Sequence, residues 1–246
     1  MLMEWLRQLA DGQDTFTRHL CVQKLLATLD AKTVLDVGGE GRLVPFIGKD
    51  RVTTANIRQQ RGVDQVLNSL DLPYRDDSFD AAVSIDTLEH IPEPARVHFI
   101  EEMRRVSSKG LVICAPLGTV EHCRYEQGIL DEGRLAEEGA RYLREHVAHG
   151  LPTPEDVFQW ADRFKGMVMF QGDFRRCGAR IKTRFVSLLL NLFGNIWQCV
   201  RSNLGMILRA EHGPYTNRFF LVVLKNTAVD AGHKTRGHCS TEAPCR

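Results

Sequence analysis

The chain has 246 residues, of which 43% are hydrophobic and 26% charged, and its formal net charge is +1. That length and composition fit one large globular domain whose core needs no metal or disulfide to hold it. The near-zero charge excludes a global field drawing the protein to nucleic acid or an anionic membrane, and no apolar run reaches the roughly 20 residues of a membrane span.

In chain order, a first helix is expected over Asp14 to Leu29, with Asp14 as its N-cap and Phe16, Leu20 and Leu29 near one face. Thr33 to Gly38 is short, β-branched and closed by glycines, which predicts a buried strand. A helix is expected from near Gly41 to Ile47, then strands at Val52 to Ile57 and Val63 to Leu67. Phe79 to Ile85 is the best-defined strand; a helix from Pro94 to Val106 and a strand from Gly110 to Ala115 follow it. This alternation predicts an α/β fold, a doubly wound and mostly parallel sheet covered on both faces.

The stretch Gly118 to Lys165 reads as a helical insert, with a cap at Thr153-Pro154-x-Asp156 opening a helix to Phe164. Strands are expected at Met167 to Phe170 and Arg218 to Lys225. Between them, Phe185, Leu188, Leu189, Leu192, Phe193, Ile196, Trp197 and Val200 share one stripe of an amphipathic helix. Packing on the sheet is the expectation for that stripe, with peripheral membrane contact by residues 185–200 left open. The organisation is therefore an N-terminal helical segment (1–30), one domain (31–225) with the insert at 118–165, and a polar tail (226–246) expected to be disordered.

Seven cysteines are scattered without a C-x-x-C pair, and Glu4, Arg7 and Asp11 interrupt the apolar N-terminus. Reduced thiols, no secretory signal and a cytoplasmic location are expected. The pairs His146/His149 and His122/Cys123 are read as surface side chains, so no metal site is expected.

Chemistry concentrates in three pieces. Val34-Leu-Asp36-Val-Gly38-Gly39-Glu40-Gly41 is a strand running into a glycine turn, where backbone can approach a ligand closely and helix-start N–H groups favour a negative group. From Gly39 the third glycine of a dinucleotide G-x-G-x-x-G is missing, and no Gly-Lys-Ser/Thr of a P-loop exists. Leu72-Pro-Tyr-Arg-Asp-Asp-Ser-Phe-Asp80 leads into the fourth strand, and Asp86-Thr-Leu-Glu-His-Ile-Pro92 leaves it.

Together these pieces resemble the class I S-adenosylmethionine (SAM)-dependent methyltransferases of the type 11 kind. The resemblance is strong over Val34 to Pro116 and implies a Rossmann-like fold, SAM as cofactor and S-adenosylhomocysteine (SAH) as product. Carried over by position, it implies that Asp36, Gly38, Gly39 and Gly41 shape the cofactor loop. Asn56 stands where an acid usually meets the ribose, and Asn68, with Asp71 nearby, where the adenine edge is usually met. Asp86 and Leu88 follow at the mouth of the fourth strand, where ligands bind in such sheets.

His90 is the first candidate for a general base toward a hydroxyl acceptor, with Glu145 and His146 as weaker ones. Arg124, Tyr125, Arg141, Tyr142 and Arg144 on the insert are candidates for reading an anionic or sugar-like acceptor. The glycine loop departs from the pattern: it runs one residue short and holds Glu40. The expected activity is methyl transfer to oxygen or nitrogen of a small-molecule or glycan-type acceptor, with no nucleic-acid partner. A non-catalytic scaffold or regulatory subunit of the same fold is the alternative.

Overall fold

A computed structural model describes residues 12–133, 135–177, 184–200 and 207–225. The strands are β1 (Val34–Val37), β2 (Val52–Asn56), β3 (Gln65–Val66), β4 (Phe79–Ile85), β5 (Ser107–Pro116), β6 (Met167–Asp173) and β7 (Thr216–Leu224). They form one seven-stranded sheet in the order β3-β2-β1-β4-β5-β7-β6. β1 to β5 pair in parallel, and β7 runs antiparallel between β5 and β6. The doubly wound, mostly parallel architecture follows.

The helices are α1 (Gln13–Thr28), α2 (Val44–Ile47), α3 (Arg96–Val106), α4 (Val120–Asp131), α5 (Glu137–His149), α6 (Pro154–Phe164), α7 (Phe174–Cys177) and α8 (Arg184–Val200). The two-residue period of the strands divides the core between the sheet's faces. Leu35, Val37, Ala82, Leu111, Ile113, Phe219 and Leu221 pack with Phe99, Ile100, Met103, Val157 and Trp160 of α3 and α6. Their neighbours Val34, Ala81, Val83, Val112, Cys114, Phe220 and Val222 pack with Phe16, Leu20, Leu25 and Leu26 of α1 and with Phe46 and Ile47 of α2. Both faces are thus dry, which is why these strands read as nearly continuous apolar runs.

Three expectations change. Asp14 is not the cap of α1: Gly12 holds that position and no side chain caps it, while Asp14 lies in the first turn. There Asp14 accepts from Arg18, Asn217 and Arg218, a tertiary use that outcompetes capping. The helix after the glycine loop is only Val44–Ile47, stopped at Gly48, whose φ is 98°. The apolar stripe of α8 does not all turn inward: Asn195 is buried, while Phe193, Ile196 and Trp197 are exposed, Trp197 by 58%. α8 meets α1 where a Cβ at Gly194 would overlap the Gln13 side chain. The expected tail, 226–246, lies outside the described residues. Among the described residues, no helix is long and apolar enough to cross a membrane.

The capping box at α6 is present: Thr153 Oγ1 accepts from Asp156 N at 3.1 Å, and Asp156 Oδ2 accepts from Thr153 N at 2.9 Å. Thr153→Ala removes the Oγ1 acceptor of the Asp156 N–H, and a loss of about 1 kcal/mol in denaturant unfolding is expected.

Candidate active site

At the carboxyl ends of β1, β2 and β4 lies a cavity of about 790 Å³. This is where an open α/β sheet presents its loops to ligands, beside the point where strand order reverses. On the β2 side it is lined by Asp36, Gly38, Gly39, Glu40, Arg42, Asn56, Arg58 and Gln60. On the β4 side it is lined by Asp86, Thr87, Glu89, His90 and, from α5, Arg141, Tyr142, Glu145 and His146. Thr15, Arg18 and His19 of α1 complete the wall.

The glycine loop is built by close approach. Gly38 has φ 80°, and a Cβ there would overlap the Thr87 side chain. A Cβ at Gly39 would overlap the Asp36 carboxylate, so the loop lies directly over Asp36. Burial pushes the Asp36 carboxyl up to about 7. Gly41 backs onto the Gly62 backbone and is not part of the cavity lining. The Asn56 amide donates to the Gly38 and Gly39 carbonyls at 2.9 and 3.0 Å, and its Oδ1 accepts from Arg58 N at 3.1 Å. Asn56 therefore spends its polar groups on holding the loop, although it also borders the cavity. Glu40 Oε2 stands 3.4 Å from Arg42 Nε, which turns its charge toward a cation.

Asp86 follows β4 with φ 51°, a conformation few non-glycine residues adopt and one found at functional sites. Two guanidiniums hold it: Arg218 Nη1 at 2.7 Å from Oδ1 and Arg18 Nη1 at 2.9 Å from Oδ2. Burial would raise the Asp86 carboxyl, but the two arginines outweigh it and hold it below the usual carboxylate range. The next turn, Leu88–His90, is anchored by Leu88, which is fully buried in the core. Leu88 thus does not line the cavity but orients Glu89 and His90, which do.

α5 covers these two residues. Buried Arg96 clamps it by donating from Nε to the Ile91 carbonyl at 3.0 Å and from Nη2 to the His149 and Gly150 carbonyls. A cation at a helix C-terminus also suits the helix dipole. The result is a cluster. His90 and His146 lie with ring centroids 4.8 Å apart, and Tyr142 contacts His90 edge-on. His90 Nδ1 is 2.9 Å from Glu145 Oε2, off line for a hydrogen bond. His146 Nδ1 is 3.1 Å from Glu126 Oε1. Glu89 is 1% exposed, and burial, reinforced by Asp86, pushes its carboxyl up to about 8. Burial draws the His90 imidazole down. It would do the same to His146, but Glu126 reverses it and the net direction is upward.

The cavity brings together Asp36, Gly38, Gly39, Asn56, Asp86 and His90 of the expected site, with Glu145, His146, Arg141 and Tyr142 of the insert. Asn68 and Asp71 are not in its lining: both are exposed, and Asn68 Oδ1 accepts from Leu70 N in a local turn. Arg124 and Arg144 are exposed and outside the lining, and Tyr125 packs on Phe174. His122 and His146 are not surface side chains as expected. His122 is buried and stacked on Phe174, and His146 faces the cavity. Arg18, His19 and Arg218 went unread. The only signal was local: three polar residues between Phe16 and Leu20, and one arginine directly before the apolar run of the last strand.

His19 carries a testable consequence. Burial, helped by the Arg18 charge, lowers its pKa from 6.5 to about 4. Between those values the unfolded chain binds the proton and the folded chain does not, so stability falls as pH falls from 6.5 toward 4. The full window corresponds to about 3 kcal/mol. His19→Gln is expected to flatten that part of the stability–pH curve, measured by urea unfolding at several pH values.

Strand order, the antiparallel β7 and the cavity at the carboxyl ends define a class I methyltransferase fold, the fold of SAM-dependent methyltransferases. Residues 47–114 match the family model described as "Methyltransferase domain", a stretch that begins just after the glycine loop. Among solved structures, the chain is similar to the plantazolicin methyltransferase BpumL, in complex with a monoazolic desmethylPZN analogue and SAH. The TM-score is 0.53 at 14% identity, covering 87% of this chain and 85% of that one. It is also similar to the plantazolicin methyltransferase BamL, in complex with a triazolic analogue and SAH, with TM-score 0.53, 13% identity and coverage of 91% and 89%. No curated protein matches the chain. The chain therefore has the class I methyltransferase fold, and the stretch that matches the methyltransferase-domain model lies within it.

Proposed function

We propose that this protein is a SAM-dependent methyltransferase whose cofactor lies against the glycine loop and whose acceptor enters beside His90. The observation that carries this reading is one continuous cavity joining two dissimilar halves. One half offers close backbone at Gly38 and Gly39 with cationic Arg18 and Arg42 in its wall, suited to a carboxylate-bearing ligand. The other offers His90, Glu145 and His146, groups that hold or move a proton.

Methyl transfer is a direct displacement: the S–CH₃ bond of the sulfonium breaks as the new bond to the acceptor forms, leaving neutral SAH. The protein's work is to align the two reactants and exclude water. For a hydroxyl acceptor the O–H proton must leave, and His90, with Glu145 beside it, is the group placed to take it. Arg141 lies 5.0 Å over the Tyr142 ring and the pair borders the same half, suited to a polar small-molecule or glycan-type acceptor. Titration calorimetry with SAM and SAH is the test. Micromolar binding of either is the expected result; no binding by folded protein would favour the scaffold alternative.

A further inference from the structure

The acceptor half of the cavity holds more than a base. Glu89, His90 and His146 each offer one ligand atom, and these atoms all lie within 4.8 Å of one another. Glu89 Oε2 and His146 Nε2 are buried and have no hydrogen-bond partner among the described residues. A buried carboxylate oxygen and a buried ring nitrogen left unsatisfied side by side are each costly. They come from different parts of the chain, the turn after β4 and the insert helix α5, which the Arg96 clamp holds together.

The outer shell has the same logic. His146 Nδ1 is hydrogen-bonded to Glu126 at 3.1 Å, while His90 Nδ1 stands 2.9 Å from Glu145 but off line for such a bond. A carboxylate on one ring nitrogen fixes the tautomer in which the other nitrogen carries a lone pair, the arrangement found behind metal-bound histidines.

We propose that Glu89, His90 and His146 form a site for one divalent cation. The site takes two imidazole nitrogens and one carboxylate and leaves positions open toward the cavity for an acceptor oxygen. Two histidines and one carboxylate with open positions suit borderline ions such as Mn²⁺, Fe²⁺, Co²⁺ or Zn²⁺ better than Ca²⁺. Ligand atoms on one such ion stand about 3–4 Å apart, given bonds of about 2 Å, so small side-chain rotations close the cluster onto it. Asp86 is not a ligand, because Arg18 and Arg218 already occupy both of its oxygens.

This deepens the methyl-transfer reading and rests on it for the acceptor's role. A cation-bound hydroxyl is more acidic; its O–H bond breaks with the proton going to water, the oxygen attacks the methyl carbon, and SAH leaves neutral. His90 is then a ligand and not the base, so the acceptor class narrows to one presenting a ligating oxygen.

The experiment is titration of the full chain with Mn²⁺, following free Mn²⁺ by electron paramagnetic resonance, in parallel with SAH calorimetry. One bound Mn²⁺ per chain at micromolar affinity is expected, weakened at least about tenfold in both Glu89→Gln and His146→Gln, with SAH affinity within about twofold of wild type. Failure of wild-type protein that binds SAH to bind Mn²⁺ would overturn the site, as would Mn²⁺ affinity that neither substitution changes. Mn²⁺ binding lost in both variants, in a protein that binds no SAH, would support the site while removing the methyl-transfer reading.

Discussion

Gly38→Arg is expected to abolish SAM and SAH binding while leaving a folded, cooperatively melting protein. At φ 80° a side chain meets its own backbone, which costs about 1–2 kcal/mol, and a Cβ there would also overlap Thr87. Domains of this size have about 5–15 kcal/mol to lose, so the variant melts lower but still folds. The guanidinium is then forced into the half of the cavity where the cofactor is proposed to lie. Circular dichroism establishes the fold and calorimetry reads the binding. Unchanged SAH affinity would place the ligand elsewhere and would count against the glycine loop as its seat.

A milder variant separates shape from charge. Asn56→Ala keeps Gly38 and Gly39 but removes the two amide hydrogen bonds that fix their carbonyls. If the loop's fixed shape is what binds the cofactor, affinity falls without any new group in the cavity. Its effect is smaller than that of Gly38→Arg, because no new side chain enters the cavity and Gly38 and Gly39 keep their close packing against Thr87 and Asp36.

The sheet was legible because its strands are buried on both faces and show that as apolar runs; Phe79–Ile85 has the bounds expected of it. β3 shrank to Gln65–Val66, an exposed edge with no core to define its length. The half of the cavity proposed for the cofactor is built locally: a strand, its glycine turn and the end of the next strand lie within Asp36 to Asn56, so a single stretch of sequence points to it. The acceptor half was only partly so. His90 could be placed by its position after β4, but Glu126 meets His146 across two helices and Arg218 meets Asp14 across 204 positions. No period or motif encodes such pairings. Leu88 was misplaced for a related reason: inside a 3₁₀ turn one residue must anchor in the core so that its neighbours can face the cavity.

Arg218→Met should lower the unfolding free energy by about 3 kcal/mol, the low end for breaking a buried ion pair. Arg218 is 5% exposed and bonds Asp14 at 2.6 Å and Asp86 at 2.7 Å, tying α1 and the mouth of β4 to β7. Methionine keeps much of the volume but leaves both carboxylates short of a partner. The low end applies because Arg18 still pairs with each and both aspartates retain some solvent contact. The sign with pH follows from Asp86, whose carboxyl is held below its ordinary 3.8. A depressed carboxyl adds stability above its unfolded value and loses it as pH falls through the folded one. The gap between wild type and variant, read from urea unfolding, should therefore narrow below pH 3.8. SAH affinity should fall with it, because Asp86 at φ 51° is held in place by these contacts and borders the cavity. A loss under about 1 kcal/mol with weakened SAH binding would mean that Arg18 alone neutralises both acids, and that Arg218 serves chiefly to aim Asp86 at the site.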